Sequence, residues 1–351
     1  MRIINAKTYL ALKSNTNKNI NTATCLSKDN RSFSVSSIVL VLVVLLFGLS
    51  SCDRKEEIEL DWEERIVGQS TALNAVYFTN ENNGHIVGGD NWAKGYYLYT
   101  ADAGETWAMD SVSNKRLFAL DFLPDGFGIA VGIDGYHYRK ESVASDWTFS
   151  RLVYWDILRD VAYKNRTEGI AVGGIGYGNG VIIKLLNNAA TSRDTFESEI
   201  DAICFSDENT VHAMGYGIVL RSTDSGETWT RLPVYGDFYR AIHFPSESIG
   251  YAVGSSGTIM KTTDAGSNWK KLRDGSKSRI SNTPFRNLFF VDDERGFLVG
   301  ENGTFWQTTD GGDNWQVVKG LPDNDFLGIH VVNGIAWLVS EEGRIFRVTV
   351  D

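Results

Sequence analysis

TTDAGSNW (residues 262–269) has three counterparts along the chain: TADAGETW (100–107), STDSGETW (222–229) and TTDGGDNW (308–315). Each copy sets a hydroxyl, an aspartate, a glycine and a tryptophan in the same order, which marks a repeat architecture. Strand-forming runs lead into the octet, GYYLYT in the first copy and GTIMKT in the third. Asp-x-Gly between two such runs is hairpin punctuation. The carboxylate can accept from N–H groups of its own turn, the glycine can take positive φ, and the hydroxyl supports the start of the turn. The tryptophan opens the returning strand and is long enough to cover a neighbouring unit. The structural set is therefore Asp102, Gly104, Trp107; Asp224, Gly226, Trp229; Asp264, Gly266, Trp269; and Asp310, Gly312, Trp315.

A second marker runs in phase with the octet, an apolar triplet closing on glycine. It ends at Gly88, Gly132, Gly173, Gly215, Gly254, Gly300 and, with serine in place of glycine, Ser340, at intervals of 39 to 46 residues. Seven units of this length predict an all-β chain, a seven-bladed β-propeller of four-stranded blades over residues 61–351. An apolar run ahead of each marker (AVYF, ALDF, VAY, AICF, AIHF, LFF, GIHV) suits the innermost strand A. The marker ends strand B, strand C leads into the octet, and the tryptophan opens strand D. Units 2 and 3 lack the octet but keep an aromatic at its end, Trp147 and Phe196, so longer or looser outer turns are expected over 141–146 and 187–195. The seventh unit has no D strand after RIFRVTV. Residues 61–67 (DWEERIV) resemble the Trp-plus-strand that follows each octet, and are expected to complete the last blade and close the ring, leaving no open edge.

The chain has 351 residues and a formal charge of −10, but the first 51 residues hold 6 basic residues and 1 acid, so the remainder carries −15. That sign excludes a general nucleic-acid binder. Residues 35–49 form an uncharged apolar run behind a basic leader, the pattern of a signal peptide. LSSC, ending at Cys52, resembles a bacterial lipobox. Residues 1–51 are thus expected to be removed, with Cys52 lipidated, residues 52–60 a charged tether, and the protein held at the cell envelope through its lipid. Of the other cysteines, Cys25 lies in the leader and Cys204 reads as a buried free thiol; no disulfide or metal-ligand spacing is present.

The octets resemble Asp-box (BNR) repeats, found in sialidases, sortilin-type receptors and other propellers. The version here, with the [AL]VG triplet ahead of a Gly-x-[IF] strand that runs into TTDxGxxW, resembles the photosystem II stability/assembly-factor family of seven-bladed propellers. Bacterial lipoproteins without a photosynthetic role share that repeat. The resemblance implies a protein-binding scaffold with an arginine patch on one face.

Octets lie in C–D turns and share a face with the A–B turns, so their aspartates read as turn caps. Ligands are expected on the other face, among the B–C loops and D-to-A crossovers. There, four residues before the last aromatic of strand A, the chain carries Arg159, Arg240 and Arg286; the remaining blades read Leu73, Phe118, Asp201 and Leu327. Three guanidiniums at the rim of a funnel suit a carboxylate or acidic peptide. The competing reading pairs each arginine with a nearby acid such as Asp156, Asp160 or Asp237. Aromatics crowd the same loops: Trp92, Tyr96, Tyr136 beside His137, Tyr154, Trp155, Tyr177, Tyr235 and Tyr239, of which Trp92, Tyr136, Trp155 and Tyr239 join the arginines as candidate contact residues.

Enzyme readings fare less well. A sialidase-like site needs three arginines, a Tyr/Glu pair and an Arg-Ile-Pro opening, which Arg65-Ile66-Val67 only echoes. A paired-carboxylate glycosidase can assemble from distant acids, so a glycan-binding or glycan-cleaving surface protein is the alternative. The five histidines show no metal spacing and no dinucleotide or phosphate loop is present, so no cofactor or metal is expected.

Overall fold

The computed structural model describes residues 2–5, 56–68, 70–277 and 283–350. The apolar run at 35–49, Cys25 and Cys52 lie outside them. No helix among the described residues is long and apolar enough to cross a membrane.

Seven antiparallel sheets, each in the order A-B-C-D, form the blades of a propeller. Blade 1 takes Ala72–Phe78, Gly84–Asp90, Lys94–Thr100 and Ala108–Ser113, and blade 2 takes Leu117–Phe122, Gly128–Gly132, Tyr136–Lys140 and Thr148–Arg151. Blade 3 takes Leu158–Tyr163, Glu168–Gly174, Gly180–Leu186 and Ala189–Phe196. Blade 4 takes Ile200–Phe205, Val211–Gly215, Ile218–Ser222 and Thr230–Arg231, and blade 5 takes Tyr239–His243, Gly250–Gly254, Ile259–Thr262 and Lys270–Arg273. Blade 6 takes Phe285–Phe290, Gly296–Gly300, Phe305–Thr308 and Gln316–Lys319, and blade 7 takes Phe326–Val332, Ile335–Ser340 and Arg344–Thr349.

The fourth strand of blade 7 is Trp62–Ile66, antiparallel to Arg344–Thr349, as the sequence predicts. Trp62 is buried in a cluster shared by blades 6 and 7, near Phe297, Phe305 and Phe346. Glu64 is almost fully buried and accepts from Arg344 at 2.8 Å. Arg65, also buried, reaches forward to Glu105 in the outer turn of blade 1, so one short strand joins the ring on both sides. Two further strands decorate the closure. Arg2–Asn5 pairs with the outer edge of Trp62–Ile66, and Glu57–Glu59 runs parallel to Val317–Lys319 of blade 6.

The core is divided among interfaces between neighbouring blades. Met214 and Val219 of blade 4, for example, pack with Tyr239, Ala252 and Met260 of blade 5. Alternation along each strand gives every blade two apolar faces, each covered only by the next blade, so the ring is stable as a whole and not blade by blade. Strand A exposes one backbone edge to the central axis. Side chains of the preceding blade cover it: Asp121 accepts from Tyr163 N–H and Asp160 from Ile203 N–H, both at 2.9 Å. His243 and His330 both pack against the Phe289 ring, at 4.9 and 4.7 Å between ring centres, a packing role; no metal-binding cluster is found among the described residues. Cys204 is a free thiol, pushed up to about 12 by burial.

The octets form one repeated turn. In blade 1, Thr100 Oγ1 donates to Asp102 at 2.7 Å and accepts from Gly104 N–H at 3.0 Å, while Asp102 takes the N–H and hydroxyl of Thr106 at 2.9 and 2.6 Å. The same four bonds recur around Asp224, Asp264 and Asp310. The glycine is needed twice over. Gly104 and Gly266 have φ of +77° and +70°, and a Cβ there would stand 2.0 Å from the Trp337 ring and 2.1 Å from the His212 ring of the preceding blade.

Blades 2 and 3 correct the expectation of longer turns. The C–D loop of blade 2, residues 141–147, has the same seven-residue length as the octet loops. Blade 3 closes with only Asn187-Asn188, at φ +50° and +66°, a two-residue hairpin turn of the kind that asparagine tolerates.

Candidate functional site

Every blade carries a bulge near the start of strand A. Its pairing register with strand B jumps between Leu73 and Ala75, Leu117 and Ala119, Leu158 and Asp160, Ile200 and Ala202, Tyr239 and Ala241, Phe285 and Asn287, and Phe326 and Gly328. The skipped residue has no ladder partner, and a bulge re-aims its side chain. The seven skipped residues are Asn74, Phe118, Arg159, Asp201, Arg240, Arg286 and Leu327, and all seven line one cavity of about 520 Å³. The glycine that ends strand B makes room for the bulge. A Cβ on Gly88, Gly173 or Gly300 would lie 1.9 to 2.1 Å from the carbonyl of residue 72, 157 or 284, where strand A begins.

This assigns the funnel position in blade 1 to Asn74, not Leu73, which is fully buried between blades 7 and 1. Arg159, Arg240 and Arg286 come together as the register predicts. Arg116 joins them from the crossover into blade 2, two residues before the bulge. Sequence reasoning missed it because it stands outside the repeated register.

The arginines do not pair with the acids expected. Arg159 meets Glu199 at 3.0 Å, Arg240 meets Asp201 and donates to Ser255 at 2.7 Å, and Arg286 meets Glu301. Asp156 binds Arg193 instead, Asp160 caps the N–H groups of Val161 and Ile203, and Asp237 accepts from the N–H groups of Phe238, Ser256 and Thr258. Arg116 differs from the other three. Among the described residues its hydrogen bonds go to two neutral amides, Asn74 and Asn91, and its Nε is buried without a partner. Burial lowers its pKa, opposed by Glu341 and reinforced by Arg159. Phe118 lies beneath two guanidiniums, Arg159 at 4.7 Å and Arg116 at 5.2 Å from its ring centre. Asp160, on the floor, is pushed up to about 7 by burial. Three of the four guanidiniums thus already face a carboxylate, and Arg116 is the one whose hydrogen bonds, among the described residues, go to no acid.

The aromatic candidates divide. Trp92 and Trp155 are 61% and 68% exposed on loops of this face, braced by Lys115 at 4.4 Å and Arg151 at 4.0 Å. Tyr136 is half-buried against Phe149. Tyr239 is a correction: it is fully buried between blades 4 and 5 and cannot reach a partner, as are Tyr96 and His137 in their own interfaces. A patch not foreseen joins Tyr177 to Tyr216, 5.0 Å apart and both about half exposed or more. Tyr216 directly follows the marker glycine of blade 4, a position that opens the B–C loop.

Fold and funnel together define a seven-bladed propeller with an arginine-lined axial mouth. A family model described as photosynthesis system II assembly factor YCF48 matches residues 235–349, which hold blades 5 and 6 and the first three strands of blade 7. Among solved structures, YCF48 bound to D1 peptide is 16% identical with a TM-score of 0.64, over 85% of this chain and 100% of that one. YCF48 from Cyanidioschyzon merolae is 15% identical with a TM-score of 0.63, over 82% and 98%. The WD40 β-propeller domain of Doa1 is 11% identical with a TM-score of 0.64, over 82% and 95%. At such identities the shared property is the fold. No curated protein matches the chain.

Proposed function

We propose that the chain is a non-enzymatic, lipid-anchored scaffold or assembly factor that holds a carboxylate-bearing segment of a protein partner in the arginine funnel. The observation that carries this reading is Arg116, a half-buried guanidinium facing the cavity whose hydrogen bonds, among the described residues, go to neutral amides and which stands beside three more arginines. The YCF48-like match of residues 235–349, and the peptide held by one structural relative, support a protein as the ligand. Trp92, Trp155 and the Tyr177–Tyr216 pair extend the contact surface around the mouth, giving rigid anchors at low entropic cost.

Anchoring rests on LSSC at Cys52 and the apolar run before it. Processing there would remove Arg2–Asn5 and leave Trp62–Ile66 as the outer strand of blade 7. Mass spectrometry of the native protein should then find a lipidated N-terminal cysteine; an intact leader would refute the anchor. For the binding role, crosslinking in membranes should capture a partner that is lost on Arg240→Glu. A fluorogenic glycoside panel should show no turnover; hydrolysis abolished by replacing a funnel carboxylate would sink the scaffold reading.

A further inference from the structure

A second cavity, about 640 Å³, opens on the opposite face, between the outer strands of blades 1 and 2. It exists because blade 2 carries a decayed octet of full length. KESVASDW (140–147) aligns with TADAGETW (100–107), so Lys140 replaces the hydroxyl, Ser142 the aspartate and Ala144 the buried glycine. In the intact octets that glycine, and the residue before it, take left-handed φ, and in three of the four the glycine settles on a strand B residue of the preceding blade: Trp337 under Gly104, Ile170 under Gly226, His212 under Gly266. Neither Val143 nor Ala144 takes a left-handed φ, and Ala144 is exposed where the octet glycines are buried. The loop therefore stands off its floor. The floor residue at the matching position of blade 1 is His85.

The lining mixes three kinds of polar group. His85 is 1% exposed, its Nδ1 bonded to the Tyr97 hydroxyl at 2.7 Å and its Nε2 without a partner. Lys140 is buried over the Tyr97 and Trp147 rings and uses one donor on the carbonyl of Ser145, leaving others. Asp110 and Asp146 supply acceptors at the rim, while Tyr99 and Phe149 present exposed ring surface. An anionic ligand would meet both carboxylates, and a cationic one would meet Lys140, which already occupies the aromatic faces. A hydroxyl donates and accepts, so it can answer the aspartates, the ammonium and either tautomer of His85.

We propose that this cavity binds a neutral saccharide of one or two rings, its C–H faces on Tyr99 and Phe149 and its hydroxyls on His85, Lys140 and Asp110. The volume lies within the range of small-ligand sites, roughly 300–1,000 Å³. The site is independent of the funnel, so its failure leaves the scaffold reading untouched.

The test is a glycan array carrying neutral hexoses, N-acetylhexosamines and uncharged disaccharides. Saturation-transfer NMR on the hits follows, with indole, indole-3-carboxylate and choline as comparison probes. Two variants localise binding: Phe149→Ala removes a rim platform, and K140T/S142D/A144G rebuilds the octet and lowers the loop onto His85. The expected result is a neutral saccharide hit whose affinity falls about tenfold or more in both variants, equal to about 1.4 kcal/mol, while both melt at or above 5 °C below the parent. No saccharide hit, a hit unchanged in both folded variants, or binding of indole or a charged probe alone would overturn it.

Discussion

Two sets of repeated positions, four octet turns and seven strand A bulges, behave in opposite ways. The octet turns on one face repeat their residues and use up their chemistry. Hydrogen bonds from Thr106 and Thr100 hold the Asp102 carboxyl down at about 2, and those from Ser222 and Thr228 do the same for Asp224. The strand A bulges on the other face repeat only their backbone. Asn, Phe, Arg, Asp, Arg, Arg and Leu occupy them in turn, with no structural duty in common except to face the axis. In this repeat protein the recurring motif builds the blade, and the positions free to differ within a fixed geometry are where the proposed recognition is placed.

The comparison breaks first if the ring does not depend on its closure. Deleting residues 58–68 would expose Phe346 and the edge of Arg344–Thr349, and uncouple blade 7 from blade 1. Thermal unfolding should begin more than about 10 °C lower and less cooperatively, a loss of several kcal/mol; a melt within a degree or two of the parent would refute closure by this strand.

Next comes the octet glycine. Gly266→Ala adds a methyl against the His212 ring at a left-handed φ, and should cost on the order of 2–4 kcal/mol in denaturant unfolding. Ala144→Gly, at the decayed octet, should cost under about 1 kcal/mol. Equal effects at the two sites would mean that the blade 2 loop packs as the others do.

A smaller effect concerns pH. Burial lowers the pKa of His85, His137 and His243 to about 4 and of His212 and His330 to about 3. The unfolded chain takes up these protons near 6.5 and the folded ring does not, so stability falls as pH drops from 6.5 toward 4. Asp121 and Asp160, raised by burial to about 6 and 7, act in the other direction, holding protons that the unfolded chain has lost. Five groups oppose two, so a net loss is expected on acidification. Asp160→Asn should make it steeper; a melting temperature flat from pH 7 to 4.5 would contradict this assignment.

How much was legible in the sequence follows the same division. Seven blades, the strand order and the closing role of Trp62–Ile66 could be read because period and octet repeat. The funnel register was legible at Arg159, Arg240 and Arg286, since three like residues at one offset stand out. Asn74 was also legible: four residues before Phe78 is Asn74, not Leu73, and the bulge falls at that same offset in the blades where the rule placed the arginines. Arg116 was hidden because it arrives from a crossover that obeys no period. Tyr239 misled because it sits beside the funnel residue Arg240, on the opposite side of the strand. The turn of blade 3 was misread because a lost motif was taken for a longer loop, whereas two asparagines close the hairpin directly.

The most direct test sets the two faces against each other in one capture experiment. Immobilised parent protein, an Arg116→Gln/Arg240→Glu variant and an Asp264→Asn variant, each shown to be folded by circular dichroism, are incubated with solubilised membranes of the source organism. The expected result is a specific protein retained by the parent and by Asp264→Asn, and lost from the arginine variant. Retention by the arginine variant, or loss confined to Asp264→Asn, would place recognition on the octet face and contradict the division of labour between bulge and turn.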